Sequence, residues 1–278
     1  MEETAGGEHG DVHRVAAAGF GAEADEYERS RPSYPVVAVR YVVETLRLSP
    51  QSIVCELGAG TGKFTRQLLE ECGCTIHAVE PVAEMRAKLS SQVPQVTVSA
   101  GSAAAIPLDD ESVDAIVIAQ AFHWFANLTS LKEMHRVLKQ GGKVALIWNL
   151  EDRSASPWVA KLRDLYESYE VGTPQYRLGL WRKVFEEEES KEEVQKMFAL
   201  PLSHKQFSQV MRCDKQKIWG RILSKSYIAS LDSQQKEELR QKVMQLLEEN
   251  IPEFAKESSA TEEVSYPYLT DVFWFQKK

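Results

Sequence analysis

The sequence predicts an α/β protein built on a parallel sheet with helices on both faces. Two patterns predict it. Short, mainly apolar runs at 52–57, 75–79, 96–99, 113–119 and 143–148 read as strands. They alternate with segments of helical period at 36–48, 63–71, 83–90 and 128–138. Runs apolar on both sides of the strand imply burial on both faces. Parallel strands also need crossover connections, which these intervening helices supply.

Composition narrows the possibilities before any motif is read. The chain has 278 residues, enough for one elaborated domain, with 43% hydrophobic and 27% charged residues, as in an ordinary folded protein. A formal charge of −8 offers no overall attraction for nucleic acid or an anionic membrane, so neither partner is expected. The opening MEETAGGEHG lacks the basic flank and apolar stretch of a secretion signal. No run approaches the roughly 18 apolar residues that span a bilayer. Cys55, Cys72, Cys74 and Cys213 match no paired zinc pattern. The expectation is a cytoplasmic protein with reduced thiols and no metal.

Each element has its own justification. Residues 1–35 form an N-terminal flap: the first 19 mix Gly, Ala and charge without period, and 20–34 read as helical until Pro32 stops the helix. Residues 36–150 carry the alternating strands and helices, with the helix at 128–138 ending at Gly141-Gly142. From 151 to 278 the texture changes to a helical cap with helices at 158–170, 181–189, 215–223 and 234–249. Strands at 202–211 and 269–276 interrupt and close it, the last strands completing the sheet. The acidic run at 186–193 reads as a solvated helix face.

The segment Val54-Cys55-Glu56-Leu57-Gly58-Ala59-Gly60-Thr61-Gly62-Lys63 places three glycines at alternate positions between a strand and a helix. Glycine there allows a tight turn and lets a ligand lie against bare main chain. A dinucleotide fingerprint requires a glycine where Lys63 stands, and a phosphate loop requires a Gly-Lys-Ser/Thr that is absent. Glu80 ends the second strand 22 positions after Gly58, where a carboxylate can accept from ribose hydroxyls. Glu56 adds a second acid at the same edge. Two carboxylates suit a nucleoside bearing an ammonium or a sulfonium better than a pyrophosphate.

These residues resemble the first motif and the ribose-binding acid of class I S-adenosylmethionine-dependent methyltransferases of the type 11 domain. Over about residues 20–150 the likeness extends to Gly101-Ser102-Ala103 with Ile106-Pro107, to Ser112-Val113-Asp114, and to Gly141-Gly142-Lys143. The stretch 119–125, the flap end at 31–35 and the tail at 266–275 are similar to the trans-aconitate methyltransferase-like subgroup. The resemblance implies a Rossmann-like sheet, parallel with an antiparallel strand at the C-terminal end, and S-adenosyl-L-methionine as cofactor. It further implies that Glu56, Gly58, Gly60, Gly62, Glu80, Met85, Ser102, Ala103 and Gln120 surround that cofactor. Ser102 departs from the pattern, because many members carry an acid there and a hydroxyl is the weaker acceptor.

Methyl transfer from a sulfonium is an in-line displacement, so alignment and exclusion of water are its main requirements. An ionised carboxylate acceptor needs no base, whereas an amine or hydroxyl invites one. His123, after the fourth strand at the carboxyl edge, is the candidate base; the alternative is a ring hydrogen-bonded within its loop. Tyr27, Arg31 and Trp124 are the candidate substrate contacts, Arg31 as a clamp on a carboxylate. Tyr227 and 265–268 read as packing rather than lining. The expected partner is a small-molecule methyl acceptor, with a carboxyl group implied by the subgroup. The competing readings are a protein or RNA methyltransferase, a noncatalytic S-adenosylmethionine-binding protein, and a nicotinamide dehydrogenase, which Lys63 disfavours.

Overall fold

The computed structural model describes residues 31–254 and 262–278. Its centre is a seven-stranded sheet in the order β3-β2-β1-β4-β5-β7-β6. The strands are β1 (Ile53–Leu57), β2 (Thr75–Val79), β3 (Thr97–Ser99), β4 (Val113–Ala119), β5 (Leu138–Glu151), β6 (Phe198–Cys213) and β7 (Val264–Lys277). The first five run parallel, and β7 inserts antiparallel between β5 and β6. The longer helices are α1 (Val36–Leu46), α2 (Lys63–Cys72), α3 (Ala83–Gln92), α4 (Leu128–Val137) and α5 (Pro157–Glu167). After these come α6 (Lys183–Glu186), α7 (Glu188–Met197), α8 (Lys215–Leu223), α9 (Ser226–Ala229) and α10 (Ser233–Asn250).

Alternation along the strands feeds two cores. On β4, Ile116 and Ile118 pack on one face with Leu131 and Met134 of α4, while Ala115 and Val117 pack on the other with Val39 and Val42 of α1. Residues of β5 divide the same way, Leu146 and Trp148 against Ala145 and Ile147. Successive side chains of a strand point to opposite faces, so a run apolar throughout must be covered twice. A third core joins α5, α8, α9 and α10 to Val264, Tyr266 and Tyr268 at the start of β7. Tyr266 and Tyr268 are buried within it.

Two expectations are corrected. The helix read as ending at Gly141-Gly142 stops at Val137, and Leu138 already pairs with Val113. Strand β5 therefore runs through both glycines, with Gly141 at φ +75° and a register shift opposite Val113 and Ala115. The single helix expected at 181–189 breaks at Glu187, whose backbone is extended (φ −71°, ψ 135°), and α7 restarts at Glu188. The acidic residues of α7 are largely exposed, leaving Val194 as its buried contact.

The strand order places the site. The chain proceeds from β1 outward to β2 and β3, then crosses to β4 on the other side of β1. Connections therefore diverge at the carboxyl ends of β1 and β4 and leave a crevice between them, where open α/β sheets bind ligands. Among the described residues no helix is long and apolar enough to cross a membrane.

Candidate functional site

The turn after β1 is built by its own backbone. Gly58 N–H donates to the Val79 carbonyl at 2.8 Å, and Gly62 N–H to Ala59 at 3.0 Å. Gly58, Gly60 and Gly62 all have positive φ (67°, 58° and 89°), which L side chains rarely adopt. Their surroundings separate them. A Cβ on Gly62 would lie 2.3 Å from Leu89 Cδ1, so this glycine lets α3 approach α2. A Cβ on Gly58 would stand 2.7 Å from Ala121 Cβ, whereas one on Gly60 meets nothing within 4 Å. An added Cβ would thus stand in open space at Gly60 alone of the three, while at Gly62 it would meet α3.

Two carboxylates belong to this turn: Glu56 lines the cleft beside it, whereas Glu80, bonded to Gly60, does not. Glu80 is buried and accepts from Gly60 N–H through Oε2 and from Val82 N–H through Oε1, both at 2.9 Å. Burial raises its pKa, and those two amides oppose the rise. Each oxygen retains acceptor capacity. Glu56, on β1, is 1% exposed, and neither of its oxygens has a hydrogen-bond partner. Burial pushes its pKa up to about 8; the Thr65 hydroxyl pulls the other way and the Glu80 charge adds to the rise. A buried carboxyl without partners is costly, and a cation or a set of donors placed beside it would remove the cost.

Glu56, Gly58, Gly60 and Gln120 line one cleft of about 490 Å³ including its mouth, with Arg31 and Lys63 on the same wall. Met85, Ser102 and Ala103 do not line it. They lie beyond Glu80: Met85 is buried on α3, and Ser102 and Ala103 follow β3, whose Ser99 carbonyl accepts from Glu80 N–H at 3.1 Å. Ser102 spends its carbonyl on Ala105 N–H. Gln120 sits at φ +59°, with N–H bonded to Ile147 and its side-chain amide to the Asn149 carbonyl at 2.9 Å. Such backbone strain is commonest at functional sites.

Gln120, Arg31 and Arg221 also border a second cavity of about 570 Å³ including its mouth, so the two spaces share a wall. His123 and Trp124 line this second cavity. Trp148 Nε1 donates to His123 Nδ1 at 3.1 Å. An indole nitrogen only donates, so the neutral imidazole carries its proton on Nε2. Burial, with the Arg31 charge behind it, pushes the His123 pKa down to about 3. In this arrangement the ring presents an Nε2–H donor. Arg31 donates to the Ser224 carbonyl at 3.0 Å, and its own carbonyl accepts from Lys63 Nζ at 2.7 Å. Tyr27 lies outside the described residues.

Sequence reasoning missed the far wall. Asn149 follows the core of β5, accepts from Thr270 Oγ1 at 2.6 Å and donates to the Ser33 carbonyl at 3.3 Å. Lys225, Arg221, Tyr176 and Arg177 complete the cavity. Charged residues on helices read as solvated, and only the end of β5, at Asn149, was marked in the sequence by a change of texture. Tyr227, read as packing, is 5% exposed and borders this cavity.

With this geometry in place, known proteins can be compared. Residues 55–146 match the sequence profile of the methyltransferase domain family. An uncharacterized methyltransferase-like protein of Schizosaccharomyces pombe is 40% identical over 166 residues, 60% of this chain and 64% of that one. An uncharacterized methyltransferase of Mycobacterium bovis is 41% identical over 146 residues, 52% of this chain and 58% of its own. The chain spans about three fifths of the length of these curated relatives. A protein of Anaeromyxobacter dehalogenans assigned as a type II methyltransferase superposes with a TM-score of 0.63 over 88% of this chain and 97% of its own. At 18% identity that likeness concerns the fold. Residues 55–146 thus match a methyltransferase domain, and the sheet that carries them has a Rossmann-like fold.

Proposed function

We propose that this protein is an S-adenosyl-L-methionine-dependent methyltransferase acting on a small molecule, with a carboxylate as the favoured acceptor. The observation that carries the reading is the cradle formed by Glu56, Gly60 and Glu80: an orphaned buried carboxyl, a bare stretch of main chain facing open space, and a carboxylate fixed by two amides. Their donor chemistry fits a cationic nucleoside. Glu80 would accept from ribose hydroxyls and Glu56 would face the ammonium end. Gly58 and Gly60 would leave room for the ligand, with Met85, Ser102 and Ala103 on the adenine side. Gln120 would separate cofactor from acceptor. When bound, the cofactor supplies a methyl group on a sulfonium.

The chain's own part is to bind, orient and exclude water. Arg31, Gln120 and Arg221 border both cavities, so an acceptor in the second lies beside a cofactor in the first. An ionised carboxylate would be methylated by alignment alone, in keeping with a His123 that offers a proton rather than takes one. Arg31 and Trp124 would contact the acceptor, together with Tyr27. We further propose that residues 151–278 act as a cap with the last strands completing the sheet, that 1–35 act as a flap on the 36–150 core, and that the protein works in the cytosol, which suits its four free thiols.

Isothermal titration with S-adenosylmethionine and S-adenosylhomocysteine, with Glu80→Ala as control, tests the cofactor. Binding to the wild type and loss in the variant are expected; equal heats would remove the assignment. A labelled-methyl screen over small carboxylates, peptides and RNA then tests the acceptor. Label on peptide or RNA, and none on small molecules, would overturn that part.

A further inference from the structure

Among the described residues, the second cavity carries more cations than acids. Arg221 on α8 and Lys225 just after it are 6% and 8% exposed. Both lean on the same oxygen: Lys225 Nζ donates to Glu151 Oε1 at 3.0 Å, and Arg221 Nε lies 3.0 Å from that atom without hydrogen-bond alignment. Glu151, at the end of β5, is wholly buried, and its Oε2 has no partner. Two cations thus share one carboxylate, and through one atom.

Two other cations near this wall are matched. Arg163 pairs with Glu167 at 2.7 Å, and Arg177 with Glu170 at 2.9 Å. Lys225 Nζ also sits 4.5 Å above the Tyr166 ring, a position that favours a cation but does not neutralise it. Burial, then the Arg221 charge, push the Lys225 pKa down to about 7 against the pull of Glu151, the expected consequence of crowding two cations around one acid. A buried excess charge is costly until an anion arrives. Both cations border the cavity, and Arg221 borders the cofactor cleft as well.

We propose that Arg221 and Lys225 form the docking site for a carboxylate of the methyl acceptor, and that Glu151 is the internal counter-ion against which that carboxylate competes. The inference rests on the methyltransferase reading, because it assigns the acceptor side of the same pair of cavities. It predicts opposite effects for two neighbouring charges. Removing Lys225 removes attraction, whereas removing the charge of Glu151 removes competition and releases both cations to the ligand.

The test is isothermal titration of acetate, succinate and inorganic phosphate into the full chain saturated with S-adenosylhomocysteine. Succinate should bind the wild type, about tenfold more weakly Lys225→Gln, and more tightly Glu151→Gln, as expected for a buried charge contact. Lys225→Arg keeps the charge and should bind succinate, which guards against a merely unfolded Lys225→Gln. S-adenosylhomocysteine affinity should be the same in all four proteins. Absence of carboxylate binding to a wild type that binds S-adenosylhomocysteine would overturn the proposal, as would equal succinate affinities in wild type, Lys225→Gln and Glu151→Gln. Phosphate binding more tightly than either carboxylate would overturn the choice of anion. Failure of the wild type to bind S-adenosylhomocysteine would instead sink the cofactor reading.

Discussion

Trp148 Nε1 and His123 Nδ1 are joined by a 3.1 Å hydrogen bond, with the indole wholly buried and stacked on Tyr176 at 4.5 Å between ring centroids. The bond fixes which nitrogen of the imidazole carries the proton, and so decides what His123 can do at the cavity wall.

His123 should therefore stay neutral far below the usual histidine range. Its folded pKa, about 3, lies below the ordinary 6.5. The unfolded chain takes up a proton that the folded ring refuses, so this stability is complete above pH 6.5 and is lost as pH falls toward 3. Nitrogen-15 NMR should show a single Nε2–H tautomer from pH 8 to about pH 5. Trp148→Phe should free Nδ1 and destabilise the fold by about 1–3 kcal/mol through the lost bond and packing. A titration near pH 6.5 in the wild type would contradict this.

The glycines should divide by mechanism. Gly60→Ala carries only the positive-φ cost, about 1–2 kcal/mol, and should cut cofactor binding more than melting temperature. Gly62→Ala meets Leu89 at 2.3 Å and should lower the melting temperature further, by overpacking worth another 1–3 kcal/mol, roughly. Leu89→Ala in the Gly62→Ala background should recover part of that second loss. Thermal melts alongside titration of S-adenosylhomocysteine distinguish the two.

Glu56 gives a signed pH effect. With its pKa raised to about 8 from 4.5, the carboxyl is mainly neutral in the free protein at pH 7. The stability from this group is complete below pH 4.5 and falls as pH rises through 8. Glu56→Gln should flatten that fall. A cation arriving beside Glu56 should ionise it, so binding S-adenosylmethionine at pH 7 should release protons. The binding enthalpy should then vary with the ionisation enthalpy of the buffer in the wild type and much less in Glu56→Gln.

How much of this was legible in the sequence depended on range. Strands β2 and β4 are read correctly at both ends because they are short buried runs bounded by polar or glycine-rich turns. Strand β5 was read short because Lys139-Gln140-Gly141-Gly142 looks like a helix terminus, and only its pairing with β4 shows otherwise. The glycine turn and Glu80 were legible because a local pattern carries them. The Glu151, Arg221 and Lys225 cluster was not, because its members stand about 70 positions apart and meet through α8 packing beside the end of β5. His123 was located by the sequence, but its protonation depended on Trp148, which no local pattern links to it.

A cocrystal structure with S-adenosylhomocysteine tests the central claim most directly. The account predicts ribose hydroxyls on the Glu80 carboxylate, the amino group beside Glu56, and the sulfur turned toward Gln120 and the cavity bordered by Arg221. A ligand bound elsewhere, or a crevice closed by side chains at saturating concentration, would contradict it.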